Sequence, residues 1–145
     1  MSGTSTTQVV ERFLEALNKL DLGGMLDAVS DDFTLELPTA PAGVPKETTP
    51  KAAFEQVMGA VTGMWAEFSL TRSAVHALVD APDRVIAEYA SAGKNLDGSD
   101  YINTYLTMVT VRDDKITRWQ EFFDPEPMVR AATAAQAAAA AAGQG

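Results

Sequence analysis

The stretch Trp119-Gln120-Glu121-Phe122-Phe123 sets one carboxylate among aromatic residues. Alternate side chains of a strand share a face, so Trp119, Glu121 and Phe123 fall together. Tyr101, Asn103 and Tyr105 do the same on a neighbouring stretch. If both faces line an interior, burial disfavours the charged carboxylate and raises its pKa toward neutrality. A carboxyl so tuned is a competent general acid or base near pH 7. Asn103 and the hydroxyls of Tyr89 and Tyr101 can donate hydrogen bonds to a carbonyl or a developing enolate. The set suits proton transfer beside a carbonyl, or activation of water. Each residue also admits a plainer role. Glu121 can be a structural acceptor, or face solvent or a partner chain if the register slips by one. Asn103 can simply fix a neighbour.

These residues need strands to hold them. From Phe68 onward the apolar period is mostly two, giving strand candidates at about 66–79, 84–93, 100–112 and 115–123. Ala81-Pro82-Asp83, Asn95-Leu96-Asp97-Gly98 and Asp113-Asp114 mark the turns between them. Such short connections favour an antiparallel meander. Upstream, Phe33–Leu37 alternates like a half-buried strand, and a Pro-rich loop covers 38–50.

Helices precede the sheet. Ser5-Thr6-Thr7-Gln8 reads as a capping box, followed by Val10, Phe13, Leu14 and Leu17 at helical spacing. Asp21–Gly24 reads as a break, with Met25, Leu26 and Val29 in a short second helix. Thr49-Pro50 reads as the N-cap and first residue of a third, whose buried stripe is Phe54, Val57, Met58 and Val61. Residues 1–5 read as a disordered lead, 6–130 as one α+β domain, and 131–145 as an Ala-rich tail that is marginal as a helix unless it docks.

Composition narrows the partners. Net charge is −9, with 11 Lys+Arg against 20 Asp+Glu, which disfavours nucleic acid and anionic membranes. Cys is absent and His occurs once, so neither a disulfide framework nor a His/Cys metal site is expected. Asp113-Asp114 fits a turn, His76 a hydrogen-bonded structural residue, and Met64 and Trp65 the core. Glu36 is the second-choice acid. No leader peptide or membrane span is recognised, and a cytoplasmic location is expected.

Two stretches carry a resemblance: Phe13–Leu17 leading to Asp31–Pro38, and Tyr101–Tyr105 through Lys115–Pro125. Together they resemble the SnoaL-like polyketide cyclases, limonene-epoxide hydrolases and ketosteroid isomerases, within the nuclear-transport-factor-two-like superfamily. The resemblance implies a cone-shaped, cystatin-like α+β barrel: a strongly bent, antiparallel or mixed sheet wrapped around the N-terminal helices. A deep apolar cavity is implied between the sheet and the first and third helices, with homodimers formed through the outer sheet face. Where ketosteroid isomerases carry an Asp base, a Tyr and a protonated Asp, this chain has Leu37, Phe13 and Asn103. Glu121 matches one Asp of the epoxide-hydrolase triad, while Tyr89 and Ser91 replace its Arg and its other Asp. Thr34 and Glu36 stand nearest that family's water-positioning pair. The expectation is a cofactor-independent isomerase, cyclase or hydrolase acting on an apolar small molecule, with Glu121, Asn103 and Tyr89 catalytic. The expected binding wall is Phe13, Leu37, Phe54, Met58, Ser91, Tyr101, Tyr105, Trp119 and Phe123. The alternative is a non-catalytic ligand-binding or scaffold protein of the same fold.

Overall fold

The computed structural model describes residues 5–143. Helix α1 (Thr6–Asn18) starts on the expected capping box: Ser5 Oγ accepts from Gln8 N–H, and the Gln8 side chain accepts from Ser5 N–H at 3.0 Å. It buries Val9, Val10, Phe13, Leu14 and Ala16. The lead expected at 1–5 lies outside the described residues except for Ser5, which is this N-cap.

Helix α2 (Leu22–Asp27) runs through the glycines read as a break. Asp21 is its N-cap, its carboxylate accepting from Gly24 N–H at 3.1 Å, and a Cβ at position 24 would sit 2.7 Å from Asp21 Oδ2. A glycine is what the cap leaves room for. Val29 then belongs to strand β1 (Val29–Glu36), which begins earlier than its alternating segment. The Pro-rich loop holds a two-residue strand, β2 (Glu47–Thr48), paired antiparallel to β1. Helix α3 (Lys51–Val61) is capped by Pro50 without a side-chain bond; Thr49 instead donates to the Phe33 carbonyl at 3.0 Å. Of its expected stripe only Phe54 is fully buried.

Strands β3 (Trp65–Leu78), β4 (Ala81–Asn95), β5 (Asp100–Arg112) and β6 (Lys115–Phe123) form the expected meander, except that the first turn falls at Val79-Asp80 and Ala81-Pro82-Asp83, read as that turn, opens β4. Asp113 and Asp114 both take left-handed φ, 52° and 60°, as a tight hairpin turn requires. β6 then pairs parallel with β1, giving the mixed order β2-β1-β6-β5-β4-β3. The sheet curls but does not close, so β2 and β3 remain edges and the fold falls short of a barrel.

Odd-numbered residues of β4, β5 and the end of β6 face inward, and α1 packs against these strands. The space in which a deep cavity was expected is occupied by rings. Phe13 lies 4.5 Å from Trp119 and 6.4 Å from Phe54, and Phe54 lies 4.8 Å from Phe33. Cavities of about 250 and 650 Å³ open elsewhere. The first lies between α1 and β3, around Glu15 and Arg72; the second lies on the outer face, over Glu36 and Arg118. Neither is lined by Glu121.

Helix α4 (Pro125–Gly143) absorbs the Ala-rich segment, so the boundary expected at 130/131 falls inside a helix. Pro127, Ala131 and Ala134 are buried, which is the docking an alanine run of this length needs. No helix among the described residues is long and apolar enough to cross a membrane. If docking holds α4, Ala131→Asp should undock it. The expected result is weaker helical ellipticity and a thermal midpoint lower by at least about 4 °C, roughly 1–2 kcal/mol for a chain of this size. An unchanged spectrum and midpoint would refute the docking argument.

Candidate active site

Register places the chemistry. On the inner face Ala87, Thr107 and Glu121 form one cross-strand row, and Tyr89, Tyr105 and Phe123 form the next. Ala87 and Thr107 are small, so Tyr89 can reach diagonally across them. Its hydroxyl donates to Glu121 Oε1, and its oxygen accepts from Thr107 Oγ1 at 3.3 Å. The Trp119 indole N–H, two residues along the same strand face, donates to the same Oε1 at 3.2 Å. Oε2 receives no donor among the described residues, and Glu121 as a residue is only partly buried.

Loss of hydration raises the Glu121 pKa above the usual carboxylate value of 4.5; the bonds from Tyr89 and Trp119 oppose this without cancelling it. Burial first, and then the adjacent Glu121 charge, push the Tyr89 hydroxyl well above its ordinary value. Tyr101 and Tyr105 also shift upward, mainly by burial. All three tyrosines therefore stay protonated and able to donate.

A second polar chain continues along the face. Ser91 Oγ meets Tyr105 OH at 2.8 Å, and Tyr105 OH meets Tyr101 OH at 3.0 Å. Asn103 Nδ2 donates to Tyr101 OH at 3.3 Å. The two chains touch where Tyr89 and Tyr105 stack, with ring centroids 4.6 Å apart.

Asn103 departs from its expected role. Nδ2 also donates to the Asp124 carbonyl at 3.0 Å, while Oδ1 accepts from Thr104 N–H at 2.9 Å and Asp124 N–H at 3.3 Å. With both amide hydrogens engaged, Asn103 fastens the β6–α4 junction and orients Tyr101 rather than offering a donor to a ligand. Phe13 packs on Trp119, and Phe123 lies 6.4 Å from Tyr105. Leu37 and Phe54 are buried in the same core, and Met58 packs against it half-buried. Thr107 went unnoticed in the sequence, although alternation from Asn103 and Tyr105 puts it on their face.

The second-choice acid behaves oppositely. Glu36 accepts from Arg118 at 2.8 Å and from Gln120 at 3.0 Å on the outer face, and the Arg118 bond lowers its pKa. His76 pairs with Glu88 at 2.7 Å, both exposed. No cluster of three or more metal-ligating side chains occurs among the described residues.

A helix-filled, curled α+β sheet with a polar strip on its concave face defines the class. The SnoaL-like domain family matches residues 10–119, and the chain belongs to that family. The uncharacterized Bacillus subtilis (strain 168) protein YesE is 24% identical over 119 residues, 81% of this chain and 80% of that protein. Among solved structures, an isomerase candidate from Bacillus subtilis superposes with a TM-score of 0.77 at 22% identity, covering 89% of this chain and 94% of its own. A polyketide-cyclase candidate from Pseudomonas putida KT2440 gives 0.73 at 19%, covering 88% and 98%. At such identities the structural likenesses establish the fold.

The raised Glu121 pKa carries a stability consequence. The folded chain holds that proton more tightly than the unfolded chain, so the contribution is full below about pH 4.5 and is lost as pH rises through the higher folded value. We expect the stability of the native chain relative to Glu121→Gln to fall between pH 4 and pH 8 in urea titrations. A pH-independent difference would mean that the carboxyl is not perturbed.

Proposed function

We propose that the chain is a cofactor-independent acid/base enzyme that moves a proton next to a carbonyl of an apolar small molecule, in the manner of an isomerase or cyclase. One observation carries this reading. The Glu121 carboxyl sits on the concave face with one oxygen fixed by Tyr89 and Trp119 and the other unclaimed. As carboxylate, Oε2 takes a proton from the carbon beside the carbonyl. The electron pair moves to oxygen, where the Tyr101–Tyr105 hydroxyl pair donates to the enolate. Glu121 then returns the proton at another carbon. Tyr89 and Trp119 orient the carboxylate, and Asn103 holds Tyr101 in place. Phe13, Leu37, Phe54, Met58, Trp119 and Phe123 supply the apolar wall, with Ser91 a polar contact. Entry needs the rings packed over the strip, Phe13 against Trp119 among them, to part. The same acid can activate water, so an epoxide-hydrolase-like step is the hydrolytic version of this proposal. We propose a cytoplasmic location, with which a chain without Cys is compatible.

Deuterium exchange tests the chemistry before the true substrate is known. A panel of terpenoid, steroid and polyketide-like ketones in D₂O is followed by NMR with the native chain and with Glu121→Gln. The expected result is catalysed exchange at a carbon beside the carbonyl for at least one ketone, growing with pH through the raised carboxyl pKa. The variant should lower it by at least about 100-fold. Exchange that survives the variant removes Glu121 from the mechanism. Binding without exchange favours the second reading, a non-catalytic ligand-binding protein, which the engaged Asn103 amide supports.

We also propose a homodimer through the outer sheet face. Leu106 and Phe122 stand opposite each other there at 50% and 41% exposure, with Ile102 at 64% on the same face. Leu106→Asp should convert a dimer to a monomer in sedimentation velocity; a native chain that is monomeric at 100 µM (about a hundredfold above a micromolar Kd) would end this proposal.

A further inference from the structure

Trp65 opens β3 and Asn95 closes β4, and the two are direct partners in the ladder. Each carries a buried polar atom without a hydrogen-bond partner: the Trp65 indole Nε1–H, a donor, and Asn95 Oδ1, an acceptor. Buried polar groups are nearly always paired, so two orphans of opposite type in one cross-strand pair need an explanation. They are the unpaired buried side-chain atoms among the described residues.

The Asn95 amide cannot simply be turned round. Ser99 spends its hydroxyl hydrogen on Asp97 Oδ1, so Ser99 Oγ can only accept from Asn95, whose Nδ2 lies 3.0 Å away. The same Nδ2 faces the Asp100 carbonyl at 3.5 Å. Nitrogen is thereby fixed on the turn side and Oδ1 is left over. Asn95 itself is 2% exposed.

Aromatic rings frame the pair. Trp65 lies 4.8 Å from Phe68 and 5.0 Å from Tyr101, and Phe68 lies 6.4 Å from Tyr101. Phe68 and Tyr101 flank Gly93 in the ladder, where the β3 backbone comes so close that a Cβ would meet Glu67 O at 2.0 Å. Trp65 and Phe68 are only half-buried, so the outer edge of this frame meets solvent while the two orphan atoms lie beneath it, and a ligand must part the rings to reach them. Six steps along β4, about 20 Å of extended strand, carry Asn95 away from Tyr89, and the two places share one residue, Tyr101, which turns its ring to Trp65 and its hydroxyl to Tyr105.

We propose that Trp65 and Asn95 form a binding site for the hydroxyl group of a neutral, ring-bearing small molecule. A hydroxyl satisfies both atoms at once: its oxygen accepts from the indole N–H, and its hydrogen goes to the amide oxygen. A carbonyl or ether leaves Asn95 unmet, and an ammonium leaves Trp65 unmet. The three rings supply the apolar surface for the rest of the ligand.

The probes are 2-naphthol, 2-methoxynaphthalene and naphthalene, titrated into the ¹⁵N-labelled full chain. The readout is the Trp65 indole N–H signal, told from that of Trp119 by Trp65→Phe. The expected result is a saturable shift of that signal by 2-naphthol, with at least tenfold tighter binding than either analogue. Trp65→Phe, which keeps an aromatic ring but not the donor, should erase the preference. Equal affinities, no binding, or a preference that survives Trp65→Phe would each overturn the proposal. So would an indole N–H whose cross-peak to a held water persists at saturating 2-naphthol, since the orphans would then belong to that water. If Trp65→Phe fails to fold, the affinity ratio among the three probes on the native chain decides alone.

Discussion

A carboxyl group cannot be withdrawn from water unless other donors replace the water or the group keeps its proton. Glu121 on the concave face of the sheet imposes that condition, and the neighbouring rows are composed to meet it. Tyr89 and Trp119 converge on one oxygen, and Thr107 supports Tyr89 from behind. The row containing Glu121 must also be small elsewhere, and it holds Ala87 and Thr107. Larger side chains there would keep Tyr89 from crossing to the acid. The next row holds the two stacked tyrosines, Tyr89 and Tyr105, so the ring that reaches Glu121 is braced by its neighbour.

The helices complete the condition from the other side. Phe13 of α1 lies on Trp119, so the ring that donates to Glu121 is itself held by packing. Asn103 does comparable work at the far end, joining β5 to the first residue after β6 by paired bonds to Asp124. Its other amide hydrogen reaches Tyr101, so the start of α4 and the tyrosine chain share one anchor. A change at Asn103 would therefore act on tyrosine position and on α4 docking together.

Much of this was legible in the sequence, and the parts that were not share a cause. The four long strands show themselves because period-two runs are punctuated by short turns, as at Asp113-Asp114. The capping box at Ser5–Gln8 is local and reads directly. Alternation alone groups Glu121 with Trp119, and Asn103 with Tyr101 and Tyr105. What escapes are quantities set by partners distant in the chain. β2 is two residues long and exists only because β1 is there to pair with it. The engagement of Asn103 depends on where the Asp124 backbone arrives, and the filling of the interior depends on how deeply α1 seats Phe13.

The contrast between Glu36 and Glu121 shows how the fold separates two uses of one side chain. They lie on adjacent, parallel strands, β1 and β6, but on opposite faces of the sheet. Glu36 meets a guanidinium at the surface, and its carboxylate is stabilised. Glu121 meets only neutral donors in a less hydrated setting, and its acid form gains. A charge partner would fix the proton's absence; neutral donors orient the group while leaving the proton exchangeable. General acid–base chemistry needs the second condition, since a group locked in one protonation state cannot cycle. The face on which a strand presents its glutamate thus decides whether that residue braces the sheet or can carry a proton.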